Sequence, residues 1–226
     1  MAEHIFRSWR DRFIQLCIVY LGLLLAIGSE RGVEALYRRH RRTELQAALR
    51  HDGERAVADS IQEEADCAAR LRWLQTRLAQ VDTAIQDGTA LAPPPNFKFP
   101  GGNYPEDPIW KAAKSSGSQT LLPQNDLDAY WELDYLFSLV DAASQRANES
   151  SFRRNQFQIE FTKPGSRLSV AAPELLRQYR DLLREEADAH VILRFYVWAL
   201  RGAETAVLHG ERNLARIEDA EAQFMH

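Results

Sequence analysis

The chain has 226 residues and a formal net charge of -4, with 45% hydrophobic and 27% charged residues. That balance excludes an intrinsically disordered chain and gives no electrostatic reason to expect a nucleic-acid partner. Two cysteines, Cys17 in an apolar run and Cys67 on a predicted soluble helix, exclude a disulfide scaffold and offer no zinc-ligand spacing.

Residues 1–12 form a short N-terminal tail. Phe13 to Ser29 (FIQLCIVYLGLLLAIGS) then holds no charged residue and is bounded by Arg12 and Glu30. A helix of that length covers about 25 Å, against a hydrocarbon core of about 30 Å. Arg10, Arg12 and Arg31 extend its reach by snorkelling to the headgroups. The expectation is a single transmembrane helix over 13–29, with the lipid bilayer as partner. A cleaved signal peptide is a second reading, with Arg7, Arg10 and Arg12 as its basic region and Ala26-Ile27-Gly28 as a loose cleavage site. A buried core helix is a third. The helical pattern runs on past Gly28 without a turn signal, which favours the anchor. Arginines flank both ends of the run, so the positive-inside rule divides; the short leading tail favours a bacterial inner-membrane protein with a periplasmic body.

Residues 30–226 read as a helical domain. Glu34 to Arg50 is rich in good helix formers, and Gly53 marks a kink or a helix boundary. Cys67, Leu71, Leu74, Leu78, Val81 and Ile85 then step by four and three, a heptad seam that stops at Gly88. Residues 88–107 hold Pro93-Pro94-Pro95 and Pro100-Gly101-Gly102, which predict an extended crossover loop pinned by Phe97, Phe99 and Tyr104.

Asp107-Pro108 reads as an N-cap followed by proline at the first helical position, opening a short helix that ends at Gly117. A third long helix starts at Pro123 with Leu127, Tyr130, Leu133, Phe137 and Val140 on one face. Phe157 to Phe161 alternates like a strand but has no partner strand, so it reads as the end of that helix. Lys163-Pro164-Gly165-Ser166 is a turn. The last helix is expected from about Ala172 to Phe224, on a seam that includes Leu175, Tyr179, Leu182, Glu186, Ala189, Leu193, Tyr196, Leu200, Ala203, Val207, Gly210, Leu214 and Ile217. The fold expected is all-α, with the N-terminal transmembrane helix continuing into an antiparallel bundle of three long helices and one short one.

The strip from Trp110 to Gly117, followed by Leu121, resembles a W-x-x-[L/A]-x-x-[S/T]-G-x-x-x-L pattern of an uncharacterised bacterial single-pass membrane protein family, a domain of unknown function. The resemblance implies architecture and membrane location and no activity. It is detailed only over 108–130. Where many of those proteins carry Asn-Trp-Asn-Glu after the span, this chain has Ser29-Glu30-Arg31-Gly32. Packing accounts for the strip's main residues: Trp110 wedges the short helix onto the bundle, and Gly117 supplies the left-handed turn.

No nucleophile motif, phosphate loop or dinucleotide fingerprint occurs, so no enzyme, cofactor or metal is expected. Glu63-Glu64-Asp66 reads as a solvated face. Glu186 and His190, one turn apart with Glu186 on the seam, form the one candidate buried polar pair, more simply a register-setting device than a ligand site. The functional expectation is a membrane-anchored structural or interaction protein that self-associates or docks a protein through its helical seams. A small-ligand-sensing helical bundle outside the cytoplasm is the alternative.

Overall fold

The computed structural model describes residues 2–91, 104–162 and 173–211, with the side chains of 2–12, 24–31 and 160–162 left out. The described residues are all helical apart from short connections and contain no strand. The elements are α1 (Ala2–Asp87), α2 (Pro108–Ser116), a 3-10 turn (Ser118–Leu121), α3 (Gln124–Thr162) and α4 (Pro173–Leu208). The chain divides into two compact units, Met1–Ala48 and Leu49–His226.

In the first unit the described side chains of residues 13–23 are exposed apart from the half-buried Cys17. Residues 32–44 are exposed at every position, including Val33, Leu36 and Tyr37. Local pairs one turn apart support the helix: Arg38 to Glu34 at 2.5 Å, His40 to Glu44 at 3.1 Å, and the Arg41 guanidinium 5.1 Å from the Tyr37 ring. Such pairs each contribute only about 0.2–0.5 kcal/mol to an exposed helix. Among the described residues no helix is long and apolar enough to cross a membrane. The expected span over Phe13–Ser29 is thus not found there, and the side chains of 24–29 lie outside the described residues.

The second unit is a bundle of α1 (from Leu49), α3 and α4, with α2 against one end. On α1 the buried positions are Leu49, Asp52 and Gly53, Ala56, Ser60, Glu63, Cys67, Arg70 and Leu71, Leu74, Arg77, Val81 and Ala84. Apart from the adjacent pairs Asp52-Gly53 and Arg70-Leu71 they step by three and four, so the heptad is longer than the apolar residues alone suggest. Gly53 lies inside the helix and does not break it. A Cβ there would stand 2.9 Å from Glu204 Oε2 on α4, so a close approach, and not a kink, accounts for the missing side chain.

Helix directions follow from cross-helix contacts. Gly53 meets Glu204, and Arg70 meets Glu186, so α1 and α4 are antiparallel. Arg154 meets Glu186 while Gln158 meets Tyr179, so α3 and α4 are antiparallel as well. Arg70 bonds Ser151 and the Trp73 ring faces Arg154, which makes α1 and α3 parallel. An antiparallel arrangement therefore holds for α4 against its two neighbours but not for α1 against α3. A parallel pair needs a return connection along the bundle. Asp52 bonds the start of α2, so the two described ends of that connection are separated by the length of α1 between Asp52 and Asp87. That distance is about 52 Å at 1.5 Å per helical residue. Twenty residues of helix would reach about 30 Å, whereas an extended chain reaches about 66 Å. Residues 92–103, where the extended crossover was expected, lie outside the described residues.

One boundary agrees with the sequence expectation and one differs. α3 continues through the alternating stretch at Phe157 to Thr162, as the absence of a partner strand implied. α4 ends at Leu208 rather than near Phe224, where Glu211 N–H bonds the Ala206 carbonyl around Gly210. Leu214 and Ile217 fall outside the described residues. Within α4, Leu176, Leu183, Val197 and Glu204 are buried, while Leu175, Leu182, Tyr196 and Ala203 are half-buried flanks. The apolar residues pack as two clusters. One joins Ala56 and Cys67 to α3 and the second half of α4; the other joins Leu74, Val81 and Ala84 to Leu176, Tyr179 and Leu183.

Candidate functional site

Between those two apolar clusters lies a charged layer. Glu186, 0% exposed, comes from α4, Arg70 from α1, and Arg154 and Ser151 from α3. Glu186 Oε1 accepts hydrogen bonds from Arg70 Nε at 2.8 Å, Arg70 Nη2 at 2.5 Å and the Ser151 hydroxyl at 2.8 Å. Its Oε2 accepts from Arg154 Nε at 2.7 Å. Arg154 also donates to Gln158 Oε1 at 2.9 Å and lies 5.0 Å from the Trp73 ring. Burial pushes the Glu186 carboxyl up, but bonds and charge from Arg154 and Arg70 outweigh this and hold it below its ordinary value. Both oxygens of this buried carboxylate are thus engaged by the protein's own donors.

The structure places His190 beside Glu186 without pairing the two side chains. His190 Nδ1 lies 2.8 Å from the Glu186 backbone carbonyl, so Nδ1 carries the proton and donates. Burial lowers the His190 pKa, so the ring is held neutral. The partners of Glu186 are the two arginines. Sequence reasoning missed them because a charged residue on a seam reads as solvated until a counter-ion is supplied from another helix. The same error applies to the acidic run. Glu63 is buried on the seam with Cys67 Sγ 3.6 Å away, and Glu64 meets Arg201 at 2.6 Å; neither belongs to a solvated face.

At the Leu49 end of the bundle, α2 is held by Trp110, 2% exposed. Its ring stacks on Tyr130 at 5.3 Å and meets Trp131 edge-on at 5.6 Å. Lys114 pairs with Asp134 and sits 5.6 Å from the Trp131 ring. Gly117, at φ 75°, ends α2 in the left-handed conformation expected of it. Trp110 and Gly117 therefore act as packing and turn residues. The N-cap differs from expectation. Asp107 makes no side-chain cap bond; instead Asp52, from α1, accepts the Ile109 N–H at 3.2 Å and so caps α2 from a different helix.

That swap leaves a cleft lined by Leu49, Asp52, Gly53, Glu106, Asp107, Trp110, Tyr130, Leu133, Phe137 and Glu204. Three buried carboxylates face it. Asp52 is paired with Arg55, and Asp107 with Lys111 Nζ at 2.7 Å. Burial, then the charges of Asp52 and Asp107, push the Glu204 carboxyl up to about 7. Burial also raises Asp107, with Lys111 opposing it. Among the described residues no group of three or more His, Cys, Asp or Glu side chains is arranged to hold a metal ion.

The fold and these sites define an all-helical bundle with a saturated ionic layer and an acidic, aromatic-walled cleft. Comparison with protein-family models, with curated proteins and with solved structures finds no match.

Proposed function

We propose that this chain is a membrane-anchored helical structural or interaction protein, held by its N-terminal apolar run, with its bundle on the periplasmic side of a bacterial inner membrane. One observation carries the reading. Phe13, Ile14, Leu16, Ile18, Val19, Tyr20, Leu21 and Leu23 are each 53–71% exposed, and at helical spacing they cover all of the helix surface except the strip of Gln15 and Gly22. A helix with so much exposed apolar surface matches a lipid environment better than water. The resemblance of the Trp110 strip to a single-pass membrane family points the same way. Partners of the bundle would be a second copy or another protein meeting its exposed helical faces.

The alternative, a small-ligand-sensing bundle, gains nothing from the Glu186 layer, because that layer is already satisfied by the protein's own arginines.

Carbonate extraction of membranes carrying the full chain tests the anchor. The protein is expected in the pellet, and release into the supernatant would refute the reading. Deleting residues 1–29 is expected to release it. A reporter fused after residue 226 then tests the periplasmic side: alkaline phosphatase activity is expected, and a fluorescent cytoplasmic reporter would reverse the orientation.

A further inference from the structure

The cleft at the Leu49 end of the bundle carries more charge than its own residues neutralise. Glu204 is 5% exposed and lines the cleft beside Gly53. The carboxylates around it each have a cation: Arg55 on α1 serves Asp52, and Lys111 on α2 serves Asp107. Among the described residues neither a hydrogen bond nor an ion pair reaches the Glu204 carboxylate, and its only charged neighbours of influence are the two aspartates. A buried carboxylate left without a partner is costly, so its retention in a cleft points to a group that enters from outside.

The size and walls of the cleft restrict what that group can be. The enclosed space is about 10 Å³, room for one water-sized group. Trp110, Tyr130 and Phe137 present aromatic surface, which favours a cation. A guanidinium or a quaternary ammonium is too large for the enclosed part, and the carboxylates are not arranged to hold a metal ion.

We propose that this cleft binds a primary ammonium group, the tip of a lysine side chain or of a small alkylamine, with Glu204 as its counter-ion. The ammonium has three N–H donors for the oxygens of Glu204 and Asp107. The charges facing Glu204 are Asp52 with Arg55 from α1, and Glu106, Asp107 and Lys111 from α2 and the segment leading into it. Because the Glu204 carboxyl titrates at about 7, a proton competes with the ammonium below neutrality. The site stands independently of the membrane anchor.

The test is a titration of the full chain with methylammonium chloride at constant ionic strength, with tetramethylammonium chloride as the size control. The ¹H–¹⁵N resonance of the Trp110 indole, assigned with Trp110→Phe, reports occupancy. A saturable shift is expected with methylammonium only, about ten-fold weaker at pH 6 than at pH 8. Glu204→Gln is expected to abolish it while leaving the melting temperature undiminished. A lysine-containing peptide and its Nε-acetylated form separate the two sources of ammonium. Tighter binding of the unmodified peptide than of methylammonium assigns a protein side chain; methylammonium binding without peptide binding assigns a small amine. An equal response to tetramethylammonium, no saturation, or an unchanged response in Glu204→Gln would overturn the proposal.

Discussion

Arg70 on α1 and Glu186 on α4 are 116 residues apart in the chain, yet the arginine donates from both Nε and Nη2 to one carboxylate oxygen, at 2.8 and 2.5 Å. With Arg154 from α3 they tie all three long helices together at one level, between two apolar clusters. A buried charge cluster of this kind contributes less to stability than to register, because desolvation offsets most of the Coulomb attraction. Sliding any helix by one turn would strand a buried ion.

Glu186→Gln leaves two buried guanidiniums without their counter-ion and is expected to destabilise the bundle by about 3–5 kcal/mol. Replacing all three partners together, with Arg70→Met, Arg154→Met and Glu186→Leu, should restore stability to within a few kcal/mol of the original or exceed it. Urea unfolding of the three forms at pH 7 measures this. A triple variant as unstable as Glu186→Gln would show that the layer is held for stability rather than register.

The two buried glutamates of α4 have opposite pH dependences. The Glu186 pKa is depressed, so its contribution is present above its ordinary value of 4.5 and is lost as pH falls through the lower folded value. Glu204 is raised from 4.5 to about 7, so the folded state binds its proton more tightly and stability falls as pH rises across that interval. The shift corresponds to about 3 kcal/mol at most. Glu204→Gln is therefore expected to stabilise the protein at pH 8 and to change little at pH 4.5, read from urea midpoints at both pH values. Destabilisation at pH 8 would mean that the carboxylate has a partner.

Asp52 rather than Asp107 caps α2, which separates the two aspartates by experiment. Asp52→Ala removes the acceptor of the Ile109 N–H and should cost about 1 kcal/mol at pH 5, as the loss of an N-cap does. At pH 8 the cost should shrink, because Asp52 is also one of the two charges that disfavour ionised Glu204. An equal cost at both pH values would separate the cap from the cleft.

Burial and the neighbouring Glu63 raise the Cys67 thiol well above its ordinary value. Alkylation by iodoacetamide at pH 8 is expected to spare Cys67 in the folded protein and to modify it readily in urea. Mass spectrometry of the Cys67 peptide reads the difference, and rapid labelling without denaturant would place that face of α1 in solvent.

The helices themselves were legible because local signals and periodicity set them: the Pro108 start, the Gly117 stop and the repeating threes and fours of α1, α3 and α4 all concern residues within a few turns. The strip around Trp110 was legible for the same reason. Glu186 was visible as a polar residue on a seam, but its partners were not. The expected partner, His190, lay one turn away on the same helix, whereas Arg70 and Arg154 come from helices that only the fold brings near. Apolar positions alone also put the α1 seam on Leu71, Leu78 and Ile85, of which Leu78 and Ile85 are half-buried, while Glu63, Arg70 and Arg77 are buried beside them.

By itself, the sequence determined that the chain is largely helical, where α2, α3 and α4 begin, and that an uncharged apolar run lies near its start. Those follow from propensity, capping and period, which act over a few residues. Only the tertiary structure decided that α1 and α3 run parallel, that a charge from one helix cancels a charge from another, and that Glu204 is left with none. The burial and Coulomb energies that govern these depend on which side chains meet across the bundle, and that proximity is a property of the fold and not of any local stretch of chain.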